Sequence, residues 1–129
     1  MPRRSTRPLY ILLVDGNQEF RAFLKEFIEL EGHARVIGEA RNGPEAVRAA
    51  TVLRPDYILI DAGLPDGGGL RTAKEIKKYV PSTGIALVTE YAPEQYATIA
   101  TESGIDAVLH KDFLTKELPR VLKEIRAAR

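Results

Sequence analysis

The stretch LYILLV at residues 9–14 is almost wholly apolar and does not alternate, and an acid follows it directly at Asp15. A strand with one face in water alternates apolar and polar side chains, so this run indicates a strand that is covered on both faces. Strands of that kind belong to parallel sheets, whose strands are joined by crossover helices. The stretch therefore predicts an α/β sheet with Asp15 at the mouth of one strand.

The rest of the chain repeats this alternation of apolar runs and amphipathic stretches. Downstream of Asp15, apolar residues at i, i+3, i+4, i+7 and i+8 predict a helix with one apolar face, formed by Phe20, Phe23, Leu24, Phe27 and Ile28. Further strands are predicted at 34–40, 56–61, 84–89 and 106–111. Five strands alternating with five helices predict an α/β fold, a doubly wound five-stranded parallel sheet covered on both faces.

Three of the predicted helices carry finer expectations. Pro44 suits the first helical position of the second helix, whose inner face should hold Ala46, Val47, Ala50 and Leu53. The helix over 93–103 has only a thin apolar stripe. In the last helix we expect Pro119 near the start, because deeper in a helix it would remove a hydrogen bond.

Length and composition favour one domain. The 129 residues are 44% hydrophobic, which suits a single core, and the net charge of +1 gives no general field for nucleic acid or acidic membranes. No stretch approaches the roughly 18–20 apolar residues of a membrane span, and there is no signal-peptide core. Cysteine is absent, which excludes disulfides and is compatible with the cytoplasmic location that we expect.

The N-terminal stretch MPRRSTRP is basic. No aromatic residue interleaves its arginines, so residues 1–7 are predicted to be a flexible, solvated tail and not a nucleic-acid arm. Residues 8–129 are predicted to form the single domain.

Four polar residues follow the predicted strands. In doubly wound sheets, ligands bind beyond the carboxyl ends of the strands, and the residues expected there are Asp15, Asp61, Thr89 and Lys111. Carboxylates can hold a hard cation such as magnesium, while a hydroxyl and an ammonium can hold phosphoryl oxygens, a set that fits phosphoryl transfer. Taken alone, Asp61 could equally cap a helix, Thr89 could be an ordinary strand residue and Lys111 a solvated side chain.

The stretches ILLVDGNQEFR, GEARNGPEAV, RPDYILIDAGLPDGGGL, ALVTE and LHKD together resemble the receiver domain of a two-component response regulator, over about residues 8–126. The LPDGGGL and HKD contexts are most similar to the subfamily that carries a C-terminal helix-turn-helix DNA-binding domain, which these residues do not include. The resemblance implies a receiver-type, flavodoxin-like fold and a signalling role without enzymatic activity.

The resemblance also implies a role for each rim residue. Asp61 would accept a phosphoryl group from a histidine kinase or phosphotransfer protein. Asp15, Asp61 and the backbone carbonyl of Gly63 would bind Mg²⁺. Thr89 and Lys111 would hold the phosphoryl oxygens.

Three positions depart from the receiver pattern. Gly16 stands where a second pocket acid is usual, so magnesium binding should be weak or absent, unless the glycine is there because the backbone needs a positive φ. Glu90 replaces a small residue and would repel an acyl phosphate, unless it turns to solvent or pairs with Lys111. Val108 replaces an aromatic ring that rotates on activation.

Two hypotheses follow. One is a phosphorylatable switch whose output face comprises the 93–103 helix, the last strand and the final helix. The alternative is an atypical, phosphorylation-independent protein-binding module.

The partners are less determined. Dimerisation through that face, or through the first and last helices, is left open, as is a downstream protein or DNA-binding domain. We expect no membrane partner and no direct nucleic-acid contact. A third possibility, a phosphatase with an aspartyl nucleophile, is disfavoured. Such an enzyme would usually carry a second acid two residues after the nucleophile, and here that position is Gly63.

Overall fold

The computed structural model describes residues 7–65 and 68–128. Its sheet has five parallel strands in the spatial order β2-β1-β3-β4-β5. The strands are β1 Leu9–Val14, β2 Ala34–Ala40, β3 Tyr57–Asp61, β4 Gly84–Thr89 and β5 Ala107–His110. The predicted doubly wound parallel sheet is therefore confirmed.

The helices alternate with the strands along the chain. They are α1 Gln18–Glu29, α2 Gly43–Leu53, α3 Gly68–Tyr79, α4 Ala97–Glu102 and α5 Leu114–Ala127, with short 3₁₀ turns at Pro93–Tyr96 and Lys111–Phe113. Asparagine caps start α1 and α2, since Asn17 Oδ1 accepts from Phe20 N and Asn42 Oδ1 accepts from Glu45 N. The stretch predicted as one weak helix over 93–103 is thus a 3₁₀ turn followed by a short α4.

Each face of the sheet has its own core. Leu9, Ile11 and Leu13 of β1 pack on the side covered by α1 and α5. Leu12 and Val14 pack on the other side, against residues of α2, α3 and α4. Both faces of β1 are buried, which is why the strand does not alternate in sequence.

Two strands are shorter than predicted: β3 and β5 begin one residue later, after Asp56 and Asp106, and β5 also ends at His110 because Lys111 begins a 3₁₀ turn. Asp56 Oδ2 accepts a hydrogen bond from Tyr10 N, and Asp106 Oδ2 accepts one from Ile85 N, both at 2.8 Å. These side chains bind the backbone of a neighbouring strand at the edge of the ladder. Asp56 therefore joins β1 to the start of β3.

Some predicted inner-face positions are wrong. Phe23 is 49% exposed and Leu53 is 39% exposed, because each lies at the margin of its helix's buried face. Pro119 lies five residues after Leu114 within α5, not near the start of the helix. The helix starts early enough for Leu114 and Leu118 to be buried, and Pro119 can offer no N–H to the preceding turn.

Arg7, the last residue of the predicted tail, is exposed but contacts the domain. Its guanidinium donates to both carboxylate oxygens of Asp56, at 2.8 and 2.9 Å, and lies 4.9 Å from the centroid of the Tyr10 ring. Residues 1–6 of the predicted tail lie outside the described residues, as does Asp66 of the LPDGGGL stretch. Nowhere in 7–65 or 68–128 is a helix both long and apolar enough to cross a membrane.

Candidate functional site

The strand order places the site between β1 and β3. After β1 the chain crosses to β2 on one side, and after β3 it crosses to β4 on the other, so the connections diverge between these two central strands. A crevice forms at such a switch point, beyond the carboxyl ends of the strands. Asp15 follows β1 directly and Asp61 ends β3, so the fold places the two predicted acids on either side of this crevice.

Asp15 is buried, with 5% of its surface exposed. Its Oδ1 accepts from Asn17 N at 2.8 Å, and its backbone oxygen accepts from Arg21 Nη1 at 2.6 Å. Arg21 is itself buried and donates through Nε to Glu39 Oε1 at 2.8 Å. The guanidinium of Arg21 therefore holds the backbone at the carboxyl end of β1 in place.

Arg21 was not singled out from the sequence. The available signal was a charged residue between the apolar Phe20 and Leu24 of a helix, close to the buried face. Such a residue is more often a solvated charge at the helix margin, and its partners Asp15 and Glu39 come together only in the folded sheet.

Asp61 is half-buried at the end of β3, and its Oδ1 accepts from Gly63 N at 3.0 Å. Burial raises the pKa of the Asp61 carboxyl above its ordinary value. The Gly63 hydrogen bond opposes this rise, the negative charges of Asp15 and Glu90 add to it, and the Lys111 ammonium lowers the pKa. An ionised Asp61 thus sits where extra positive charge would stabilise it.

Gly69, in the first turn of α3, lets this helix approach the end of β3 closely. A Cβ atom at Gly69 would overlap the backbone oxygen of Asp61, while Gly69 N donates to Ala62 O at 3.1 Å. Only a residue without a side chain fits this contact. Gly69 is therefore a packing requirement of the Asp61 turn.

Thr89 ends β4 and is 1% exposed. Its strand pairs with β3, where Asp61 lies opposite Val88. Thr89 Oγ1 accepts a hydrogen bond from Tyr91 N at 2.9 Å. That bond uses an acceptor lone pair of the hydroxyl, whose proton is a separate donor.

Lys111 directly follows β5, and its ammonium lies between two acids. Lys111 Nζ is 3.5 Å from Asp15 Oδ2 and 3.7 Å from Glu90 Oε1. It also lies 4.2 Å from the centroid of the Phe20 ring. Of the two arrangements left open for Glu90, the structure has the pairing with Lys111, although 72% of the Glu90 side chain is exposed.

Gly16 has room for a side chain. Its backbone φ is not in the left-handed region, and a Cβ atom there would meet only Arg41 O, at an ordinary contact distance of 3.6 Å. The explanation that this glycine serves a positive φ is therefore wrong.

The oxygen atoms at the crevice are of the kind that can hold a magnesium ion. Within 7–65 and 68–128, no three His, Cys, Asp or Glu side chains are grouped to hold a metal ion. Magnesium is commonly bound through one or two carboxylates, with water and phosphate oxygens completing the shell. Asp15 and Asp61 supply two carboxylates, and the exposed Gly63 can offer its carbonyl.

Comparisons with known proteins identify the family. A family model described as the response regulator receiver domain matches residues 11–123. The nitrate/nitrite response regulator protein NarL of Escherichia coli K12 is 31% identical over 120 residues, covering 93% of this chain and 56% of that protein. The response regulator protein VraR of Staphylococcus saprophyticus is 25% identical over 117 residues, covering 91% of this chain and 56% of that protein.

Solved structures give the same answer for the fold. The response regulator domain of Thermotoga maritima CheB is 28% identical with a TM-score of 0.82, covering 95% of this chain and 96% of that one. A LuxR-family two-component response regulator from Aurantimonas sp. SI85-9A1 is 27% identical with a TM-score of 0.87, covering 95% and 87%. The chain spans 56% of the length of the two curated relatives.

Proposed function

The chain belongs to the response regulator receiver family of two-component systems, and from this premise we propose that Asp61 is its phosphoacceptor. The observation that carries the proposal is the convergence of Asp15, Asp61, Thr89 and Lys111 around one crevice at the switch point of the sheet. Receiver domains are signalling modules and generally not enzymes. We extend that non-enzymatic role, and a cytoplasmic location, to this chain.

The proposed step transfers a phosphoryl group to the Asp61 carboxylate. A carboxylate oxygen attacks phosphorus, the donor's nitrogen or acyl oxygen leaves with its electron pair, and a mixed anhydride forms. Lys111 would pair with the phosphoryl oxygens, and the Thr89 hydroxyl would donate a hydrogen bond to one of them. Magnesium, held by Asp15, Asp61 and the Gly63 carbonyl, would supply further positive charge. Receiver domains typically bind Mg²⁺ in this acidic pocket, and here we propose a weakened site because position 16 is glycine.

The partners follow from the family. Receiver domains interact with histidine kinases and often dimerise. For this chain we propose a histidine kinase or phosphotransfer protein as donor, and an output face made of α4, β5 and α5. The half-buried Val108 on β5 has no ring to rotate, so a switch at that face has to use other groups. A downstream protein or a DNA-binding domain beyond residue 129 would receive the signal.

A second candidate function is a binding module that works without phosphate. The contact between Lys111 and Glu90 favours it, because the ammonium already has an anionic neighbour before any phosphoryl group arrives. Gly16 favours it too, since the pocket has one carboxylate fewer than the family pattern.

One experiment separates the two candidates. Wild-type protein is incubated with acetyl phosphate and magnesium and its intact mass is measured, and beryllofluoride with magnesium is titrated in parallel. We expect a single phosphoryl adduct and beryllofluoride binding at Asp61. Absence of both would favour the phosphate-independent module.

Glu90→Ala should take up a phosphoryl group from acetyl phosphate faster than wild type. Two like charges about 4 Å apart repel by roughly 1 kcal/mol in water, so we expect the labelling rate to rise about fivefold. The time course of the intact mass measures this, and Glu94→Ala, an exposed acid of the adjacent turn, is the matched control. A rate that is unchanged or lower would mean that Glu90 supports the site by holding Lys111.

A further inference from the structure

The aromatic ring of Phe20 lies against the ammonium of Lys111, with Nζ 4.2 Å from the ring centroid. An ammonium within about 6 Å of a ring centroid is attracted by the negative face of the ring. Phe20 is the third residue of α1, and its backbone N–H donates to the cap oxygen of Asn17 at 2.9 Å. This contact joins the first turn of α1 to the residue that follows β5.

The other neighbours of Lys111 hold it loosely. Asp15 and Glu90 lie 3.5 and 3.7 Å from Nζ, whereas charge-assisted hydrogen bonds of this kind are usually about 2.7–2.9 Å long. Glu90 is largely exposed, so water screens its attraction. A lysine side chain has four flexible methylene groups, and the contacts with Asp15 and Glu90 are too long to fix its direction by themselves.

The Phe20 ring, in contrast, is braced. Its centroid is 6.4 Å from that of Phe23, and the Phe23 centroid is 6.2 Å from that of Phe27, spacings at which aromatic rings attract each other. Phe20 and Phe27 also pack against the core on the α1 side of the sheet. The position of the Phe20 ring, whose face contacts the ammonium, is therefore set by its packing with other residues of α1 and the core.

We propose that Phe20 is a positioning residue for Lys111. Its ring keeps the ammonium at the mouth of the crevice, close to both acids, in the place where a phosphoryl group on Asp61 would need it. The consequence for phosphorylation rests on the proposed function, whereas the placement of Lys111 does not.

The placement is tested by NMR without any phosphoryl group. Protons held over an aromatic ring resonate upfield, so the ε-methylene protons of Lys111, assigned with Lys111→Arg, should be shifted upfield from those of the other lysines. Phe20→Leu, which stays apolar, should abolish the shift, and Phe20→Tyr should restore it. Tyr79→Leu, which removes an exposed ring on α3, is the control and should leave the shift in place.

The functional consequence is tested by labelling with acetyl phosphate and magnesium. Phe20→Leu should be labelled about fivefold more slowly, the factor that corresponds to ~1 kcal/mol, and Phe20→Tyr should stay within about twofold of wild type. A merely structural role would not distinguish leucine from tyrosine in variants with equal melting temperatures.

Two results would overturn the proposal. One is a wild-type Lys111 whose ε-methylene protons show no upfield shift, a measurement that does not require the leucine variant to fold. The other is a Phe20→Leu variant that loses the shift but keeps the wild-type labelling rate. If wild type accepts no phosphoryl group, the proposed function fails, and the NMR comparison of leucine and tyrosine still decides whether Phe20 places Lys111.

Discussion

Asp61→Asn should carry no phosphoryl adduct after incubation with acetyl phosphate and magnesium, under conditions that label wild type. An amide oxygen is not the nucleophile that a carboxylate is, so the loss should be complete. The other acids of the crevice are poorly placed to substitute. Asp15 is buried and bonded to Asn17 N, while Glu90 is largely exposed beside Lys111. Intact-mass measurement of both proteins gives the result.

The matched control for this experiment is Asp112→Asn. Asp112 is also an acid beside the site in sequence, next to Lys111, but its side chain is 82% exposed. We expect this variant to be labelled as wild type is. An adduct that persists in Asp61→Asn would place the phosphoacceptor elsewhere and refute the assignment.

Loss of labelling in Asp61→Asn should not come from unfolding. Burial raises the pKa of the Asp61 carboxyl, so the folded state binds its proton more tightly than the unfolded state does. Ionised Asp61 therefore lowers the stability of the fold at neutral pH, and this penalty disappears as the pH falls below the ordinary pKa of aspartate. Asn can still accept from Gly63 N. The variant should melt no lower than wild type at neutral pH, and any advantage should shrink in acid.

The fold was predictable because its signals are local. An unalternating apolar run such as LYILLV is explained by burial on both faces of β1, and the helical spacing of apolar residues in α1 predicts its inner side. Parallel strands place their carboxyl ends at one edge, so the positions of Asp15 and Asp61 followed from the strand boundaries alone. The prediction was weakest at the margins of helices, where Phe23 and Leu53 are exposed.

What the sequence did not predict are the individual side-chain contacts between residues far apart in the chain. Arg7 and Asp56, separated by 49 positions, were not expected to meet. Asp15 and Lys111, separated by 96, were expected at the same edge of the sheet, but their direct contact was not predicted. The direction of a long side chain depends on what the fold places around it, and several directions were open for Glu90. The contact of Phe20 with Lys111 had no signal at all, because a phenylalanine on the inner side of a helix is expected in the core.

Gly16→Asp should bind magnesium at least about tenfold more tightly than wild type, a step of roughly 1.4 kcal/mol. The position lies directly after Asp15, its φ is compatible with an ordinary residue, and a Cβ would contact only Arg41 O at 3.6 Å. The substitution therefore adds a third carboxylate near Asp15 and Asp61 without straining the backbone. A hard divalent cation prefers such oxygen ligands.

The same substitution should lower stability when no metal is present. Three carboxylates crowded at one crevice repel each other and raise each other's pKa, which penalises their ionised forms in the folded state. Magnesium binds the folded state and not the unfolded chain, so it should restore the lost stability as its concentration rises. A rebuilt site should therefore show two effects: lower stability than wild type without metal, and a larger increase in stability when magnesium is added.

Calorimetric titration with magnesium measures the affinity, and thermal melts at zero and millimolar magnesium measure the stability. Gly16→Asn is the matched control, because it makes nearly the same demands on the backbone and on space but adds no charge. If Gly16→Asn tightens binding as much as Gly16→Asp, the gain comes from ordering the loop between β1 and α1. If neither variant changes the affinity, position 16 is not the missing ligand. A weak affinity in wild type would then point to Lys111, whose ammonium lies 3.5 Å from Asp15 Oδ2 and competes for the same carboxylate.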